Sequence, residues 1–194
     1  EVKKIKPLKV GNGAAVVLNP GTGEILTMIG SYDFNDKDYG SYNVTTAFRQ
    51  PGSSGKPFIY ATAFAKNYTP ATMLVDAKTG YPSGDPAKKE YAPENYDGKY
   101  RGPMQLRFAL GNSINTVAVK LTALVGIKDI MTNGYNAGIS TWQPTDETMK
   151  RVGLSLALGG QEVKLLELTS AYGVFATGGV RNDPVSILKV TDSA

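Results

Sequence analysis

The chain contains no cysteine and no histidine. The first absence removes disulfide frameworks, thiol nucleophiles and thiolate metal sites. The second removes Ser-His-Asp chemistry and histidine-bound zinc. Any nucleophilic catalysis must therefore take its base from a lysine or a carboxylate. Also missing is any apolar run of about 18 residues, so no segment reads as a membrane span. No signal peptide is visible either, although a precursor could have carried one. Charge of one sign is not concentrated: 21 Lys and Arg stand against 17 Asp and Glu, a net +4. With the lysines scattered, that pattern reads as a solvated surface rather than a nucleic-acid groove. Only the opening "EVKKIKPLK" is dense in charge. Residues 1–12 read as a frayed lead-in, and residues 13–194 as the part that carries the fold.

What remains is an ordinary globular balance, 41% hydrophobic and 20% charged over 194 residues, enough for one sizeable core. "AAVVLNPGTGEILTMIGSYD" (Ala14 to Asp33) predicts a hairpin around an Asn-Pro-Gly-Thr-Gly turn. A polar and aromatic loop leads to Pro51-Gly52. A helix from about Ser53 to Lys66 follows, with Ile59, Ala63 and Phe64 on one stripe. Pro57 falls in its first turn, where N–H groups have no intrahelical partner to lose. From Tyr68 to Tyr100, Pro, Gly, Asp and Tyr predict an irregular excursion. Helices resume in "GPMQLRFALGN", where Pro103 suits a first helical position. "NTVAVKLTALVG" follows, stopped by Gly126, and then "IKDIMTNGYNAG", closed by Gly138. "VKLLELTSAYGVFATGG" is the clearest helix, with Leu165, Leu168, Ala171, Tyr172 and Phe175 sharing a face. After Pro184, "VSILKVTD" resembles a strand. Helical and strand segments segregated along the chain define an α+β fold, in which a two-strand hairpin needs a further strand to complete its sheet.

"RQPGSSGKPFIY" holds the candidate chemistry. Ser53 stands three residues before Lys56, so at a helix start the two share a face. Read structurally, Ser53 or Ser54 caps the helix and Lys56 is a solvated charge in its first turn. Read chemically, Ser53 is a nucleophile, Lys56 its base, and free backbone N–H groups of the first turn serve an oxyanion. The spacing alone is weak, because serines and lysines are common enough here for a chance match. One occurs at Ser186 and Lys189, where a strand would turn the two side chains to opposite faces. "GSSGKP" is no P-loop: its glycines are too close together, and Pro57 occupies the position of the magnesium-binding hydroxyl. A second feature, Ser113-Ile114-Asn115 in "LGNSINTVAVK", reads either as an N-cap with turn residues or as part of a site. Ser41-Tyr42-Asn43 repeats its pattern in a loop without a helix signal.

Four segments, taken in order, resemble the penicillin-binding transpeptidase domain of bifunctional (class A) peptidoglycan synthases. They are "VVLNPGTGEILTMIGSYDFND", "RQPGSSGKPFIYATAF", "PENYDGKYRGPMQLRFALGNSINTVAVK" and "GLSLALGGQEVKLLELTSAYGVFATGGVR". The resemblance covers nearly everything from Ala14 onward. It implies a β-lactamase/transpeptidase-like fold with a helical subdomain and part of an antiparallel sheet. The family signature is Ser-x-x-Lys, then Ser-x-Asn, then Lys-Thr/Ser-Gly on a strand. By resemblance Ser53 is the acylated nucleophile, Lys56 its base and Ser113 a proton relay to the leaving nitrogen. Asn115 would hydrogen-bond the substrate amide and steady Lys56. The implied reaction joins a D-Ala-D-Ala donor stem of peptidoglycan to an amine acceptor on a neighbouring stem. β-Lactams would act as covalent mimics of the donor, and no cofactor or metal is called for. A D,D-carboxypeptidase or β-lactam hydrolase would use the same residues, and a non-catalytic scaffold would keep the fold alone. Resemblance to class A proteins also implies an extracytoplasmic location, membrane attachment only through segments outside this chain, and a glycosyltransferase domain before Glu1.

Two departures from the family pattern stand out. Gly55 occupies a position where relatives usually carry a bulky residue, often Phe, which implies looser packing behind Ser53. The third motif is missing from its place: Lys78-Thr79-Gly80 has the letters but precedes Ser113, and reads as a surface turn. In the family that motif follows the segment matching "VSILKVTDSA". The chain is therefore expected to be an N-terminal portion of the domain, lacking one wall of its cleft and inactive alone. Its natural partner would be the remaining C-terminal part of the same domain.

Overall fold

The computed structural model describes residues 2–5, 7, 10–83 and 90–192. Parts of the charged opening, the middle of the Tyr68–Tyr100 excursion and the last two residues lie outside the described residues. Along the chain run α1 (Val2–Ile5), β1 (Ala15–Leu18), β2 (Ile25–Ile29), β3 (Phe48–Arg49), α2 (Lys56–Ala65), β4 (Met73–Asp76), β5 (Tyr81–Pro82) and β6 (Glu90–Tyr91). They are followed by β7 (Gly102–Gln105), α3 (Leu106–Gly111), α4 (Asn115–Val125), α5 (Ile127–Asn136), α6 (Asp146–Val152), β8 (Val163–Lys164) and α7 (Leu165–Ala176). The strands pair antiparallel and two by two, so the fold is α+β. Two compact units form: residues 1–49 with 137–140 and 163–194, and residues 50–136 with 141–162.

In the first unit, β1 and β2 pair across the expected turn, where Asn19 N–H donates to Glu24 O at 2.9 Å. Helix α7 packs on β1 and buries Leu168 and Ala171. Tyr172 and Phe175, expected on the same buried face, are exposed and meet each other edge to face at 5.9 Å. Ser170 is buried instead and donates to Asn182 O. A two-strand hairpin is too narrow to cover a five-residue helix face, since neighbouring strands lie only about 5 Å apart. The strand expected over "VSILKVTD" reduces to one bridge, Val185 beside Glu24, with Ile25 N–H donating to Val185 O at 3.0 Å. Beyond it Ile187, Leu188 and Val190 are exposed. A strand exists through its neighbour's hydrogen bonds, and past Val185 no described segment offers them.

The second unit is mostly helical. Helices α2, α4 and α5 pack against one another and against a 3₁₀ stretch, Gly153–Leu158. Ile59 and Ala63, Val117 and Leu121, and Ile130 and Met131 supply fully buried apolar side chains from the three helices. Phe64 lies at the exposed side of α2, contrary to the expected stripe, and Lys56, Ile59 and Ala63 form the inward row at i, i+3 and i+7. Phe58 and Tyr60 are buried as well, because α2 is flanked by α3, α4 and α5. Gly126 ends α4 as expected, with φ +95°. The helix expected to begin at Pro103 begins at Leu106 instead. Residues 102–105 form β7, antiparallel to β4 with Pro103 opposite Val75. In a two-stranded pair both strands are edges, and a proline is tolerated there. Helix α6 was not expected, although its signals are present. Thr145 Oγ1 accepts from Thr148 N–H at 3.1 Å, acids fill the first turn, and Lys150 and Arg151 lie in the last.

The single tryptophan, Trp142, is fully buried and meets Phe58 edge to face at 6.0 Å. Gly134 in α5 makes room for it: a Cβ there would fall 2.2 Å from the indole Cε3. Replacing a helical glycine by alanine ordinarily stabilises by up to about 1 kcal/mol. Here the sign reverses, and Gly134→Ala is expected to lower stability by about 1–3 kcal/mol through overpacking, measured by denaturant unfolding.

Candidate active site

A short 3₁₀ turn, Gly52–Gly55, runs directly into α2. In a 3₁₀ turn positions i and i+3 eclipse, so Ser53 and Lys56 lie one above the other, and Lys56 N–H donates to Ser53 O. Neither serine caps the helix. Ser54 Oγ donates to Pro51 O at 2.6 Å, and the position preceding the 3₁₀ turn is Pro51, without a side-chain cap. Ser53 is exposed, and its hydroxyl has no hydrogen-bond partner among the described residues. Backbone presses on this turn from behind. Gly159, in the left-handed region at φ +84°, lies so close that a Cβ would fall 2.3 Å from Gly52 N. The "GLSLALGG" segment thus supports the turn that presents Ser53.

Lys56 is not a solvated charge: it is 1% exposed. Its Nζ meets Ser113 O at 2.7 Å, Asn115 Oδ1 at 2.8 Å and Ser113 Oγ at 3.1 Å. Burial lowers its pKa from the ordinary 10.5 to about 8. Among the described residues no carboxylate forms an ion pair with it. The carbonyl and carboxamide oxygens can only accept, so they take two N–H groups in either protonation state. The Ser113 hydroxyl can do both. It accepts from the ammonium, or donates to the lone pair of the neutral amine.

Ser113 and Asn115 reach Lys56 from the junction of α3 and α4. Ser113 is not an N-cap. It takes a left-handed backbone, φ +54°, while Ile114 holds the cap position and makes no side-chain cap. The left-handed conformation turns both the carbonyl and the hydroxyl of Ser113 onto one amine. Asn115 is steered from its other end, where its Nδ2 donates to Glu94 O at 2.9 Å. Lys56, Ser113 and Asn115 are thus brought into one hydrogen-bonded group, with Ser53 one turn before Lys56 and, among the described residues, its hydroxyl bonded to none of them. Sequence reasoning missed the layer beneath, Asp76, Asn95 and Thr116. Asn95 was within reach, since it lies in the quoted "PENYDGKYRG" segment; nothing in its local pattern marks Asp76.

The other matches fall elsewhere. Lys78-Thr79-Gly80 lies in the loop after β4, with Thr79 Oγ1 donating to Ala77 O. Ser186 and Lys189 are both exposed and lie outside any strand, so the expected opposite-face geometry does not apply. Asn43 caps a 3₁₀ turn, Val44–Thr46, that was expected to be plain loop. Gly55 does not loosen the packing behind Ser53. The indole of Trp142 fills the space, 3.4 Å from where a Cβ would stand. Among the described residues no group of His, Cys, Asp or Glu could hold a metal ion, and no helix is long and apolar enough to cross a membrane.

The depressed Lys56 pKa fixes the sign of a stability effect. Between pH 8 and 10.5 the unfolded chain binds the proton that the folded one has lost, so stability rises with pH across that window. Measured against Lys56→Met, which cancels all other titrations, the parent should gain about 3 kcal/mol over that window. A constant difference from pH 7 to 11 would contradict the buried amine.

A family model described as the penicillin binding protein transpeptidase domain matches residues 13–193. Penicillin-binding protein 1A of Neisseria lactamica is 37% identical over 181 residues, 93% of this chain and 22% of the relative. Penicillin-binding protein 1A of Rickettsia bellii is 36% identical over the same share. The chain thus spans about a fifth of the length of the curated relatives it matches. The crystal structure of penicillin-binding protein 1A from Haemophilus influenzae superposes with a TM-score of 0.78 at 32% identity, covering 90% of this chain and 24% of that one. PonA1 of Mycobacterium tuberculosis, solved in complex with penicillin V, shares the fold at a TM-score of 0.73 and 19% identity, over 94% of this chain and 49% of its own. With the match running from residue 13 almost to the last, the chain belongs to the penicillin-binding protein transpeptidase domain family.

Proposed function

We propose that this chain carries the nucleophile and base of a serine D,D-transpeptidase that cross-links peptidoglycan stem peptides and is acylated by β-lactams. One observation supports this above the rest: a lysine amine 1% exposed, held by Ser113 and Asn115 and one turn from a serine hydroxyl that is exposed and, among the described residues, unbonded. Serine is a weak nucleophile until a base takes its proton. With its pKa near 8, Lys56 loses its own proton close to physiological pH and can accept one.

In the proposed sequence the Ser53 oxygen bonds to the carbonyl carbon of the D-Ala-D-Ala peptide while its proton passes to Lys56. The backbone N–H of Ser53, in the first turn of its 3₁₀ segment, donates to the oxyanion. The proton then moves through the Ser113 hydroxyl to the nitrogen of the departing D-alanine as the C–N bond breaks. Asn115 holds Lys56 in place and hydrogen-bonds the donor's amide. The amine of a neighbouring stem then attacks the ester carbon; the C–N bond of the cross-link forms as the C–O bond to Ser53 breaks, and a proton from that amine passes to the Ser53 oxygen. A β-lactam follows the first half, its ring C–N bond opening with the leaving nitrogen still tethered. Such substrates lie at the extracytoplasmic face of the cell membrane. Residues 13–194 serve here as the N-terminal portion of the domain, with 1–12 as the lead-in.

Labelling the full-length protein with fluorescent penicillin tests this reading. Ser53→Ala should abolish covalent label and Lys56→Met should slow it by at least about 100-fold. In the parent, the acylation rate should climb with pH through about 8, because only the neutral amine accepts a proton. Label that persists in Ser53→Ala, or a rate flat from pH 6 to 9, overturns it.

A further inference from the structure

Beneath the Ser113–Asn115 junction lies a buried polar network that the proposed mechanism does not use. Asp76, at the end of β4, is fully buried. Its Oδ1 accepts from Asn95 Nδ2 at 2.7 Å and from the Thr116 hydroxyl. Its Oδ2 accepts from Arg101 N–H at 2.9 Å, with the Arg101 guanidinium at 3.7 Å. Asn95, 6% exposed, is used at every valence. Its second N–H donates to Lys99 O at 2.8 Å, while its Oδ1 accepts from Asn115 N–H at 2.9 Å and Thr116 N–H at 3.3 Å.

Those last two bonds matter most. Helix α4 has no side-chain cap of its own, and its first N–H groups lack intrahelical partners. Asn95 supplies the cap from another part of the chain, and the Asp76 carboxylate adds negative charge near the same positive helix end. The neighbouring residue completes the grip, since Glu94 O binds the Asn115 side chain. Two consecutive residues thus hold the backbone and the side chain of Asn115 and leave Oδ1 aimed at Lys56. The left-handed Ser113 sits two residues before this anchor. Such a backbone is unfavourable for a serine and persists only where its surroundings over-determine it.

We infer that Asp76, Asn95 and Thr116 are positioning residues of this site: they lock the start of α4 so that Ser113 and Asn115 stay within hydrogen-bond reach of Lys56. The role rests on the transpeptidase reading of Ser53 and Lys56, and acts chiefly on the rate of acylation, through the hold of Ser113 and Asn115 on Lys56. None of the three touches the reacting atoms. The charged groups joined to the anchor are Asp76 and, beside it, Arg101, which is itself paired with Asp97 at 2.7 Å; on the Lys56 side no carboxylate is paired with the amine among the described residues.

Acylation of the full-length protein by fluorescent penicillin decides the matter, with the limiting rate constant separated from the half-saturating concentration. Asn95→Ala is expected to lower the limiting constant by about 10- to 100-fold, the cost of misplacing a reacting group by about an ångström, with half-saturation little changed. Removing a hydrogen-bond acceptor from the ammonium also moves the rise of rate with pH to lower pH. Thr116→Val, which keeps the shape and loses the hydroxyl, should fall in the same direction, and Thr116→Ser should restore the parent value. Ile130→Val, a core substitution in α5, corrects for general loss of stability. Should Asn95→Ala fail to fold, the Val and Ser variants at position 116 still decide. Parental rate and pH midpoint in Asn95→Ala and Thr116→Val, or losses no larger than in Ile130→Val, overturn the positioning role and leave the nucleophile assignment standing. Label that survives Ser53→Ala overturns the assignment, and this role with it.

Discussion

A primary amine sealed from water is the constraint on which the rest depends. Lys56 is placed where an apolar residue would ordinarily complete the inward row of α2. A buried ammonium without a counter-charge costs several kcal/mol, and among the described residues no carboxylate pairs with this one. The protein offers dipoles instead: a carbonyl, a carboxamide and a hydroxyl, all from one junction. Dipoles satisfy an amine in either protonation state, whereas a carboxylate would hold it charged. In the proposed reaction that choice has a chemical meaning: with no histidine in the chain, an uncharged Lys56 is the group placed to act as base.

Keeping three acceptors on one nitrogen demands rigidity from a segment that is locally unfavourable. Ser113 takes a left-handed backbone, and α4 begins without a cap of its own. Local hydrogen bonds account for part of the hold: Ser113 N–H donates to Leu110 O, and Ile114 N–H to Ala109 O, both at 2.9 Å. On the other side of the amine, the Gly52–Gly55 turn is wedged between the Gly159 backbone and the Trp142 indole. Gly55 and Trp142 form a matched pair. The absent side chain at one position is replaced by a large ring from another, with Gly134 cleared to admit it.

The long periodic helices and the first hairpin were legible in the sequence because their signals are local. Gly126 and Gly138 close α4 and α5 region by region, and Asn-Pro-Gly-Thr-Gly shapes the turn between β1 and β2. Where partners are distant, local signals failed. "GPMQ" became a strand only because "MLVD" runs beside it, and "VSILKV" pairs at Val185 alone because nothing described runs beside the rest. The site was half legible. Ser53, Lys56, Ser113 and Asn115 could be chosen by motif, and the last three meet in space; the burial of Lys56 and the left-handed Ser113 have no local signature. Asp76 was invisible, since a carboxylate at the end of a short strand looks like any surface acid until Asn95 and Thr116 close over it.

Burial disfavours the charge of Lys56 and so brings the loss of its proton close to neutrality. Nuclear magnetic resonance of the lysine Cε and Nζ signals, with Lys56 assigned from a Lys56→Arg variant, reads that ionisation directly. A titration midpoint near 8 is what the buried, dipole-held amine predicts. An amine that stays charged to its ordinary 10.5 would contradict it, and would remove the base proposed for Ser53.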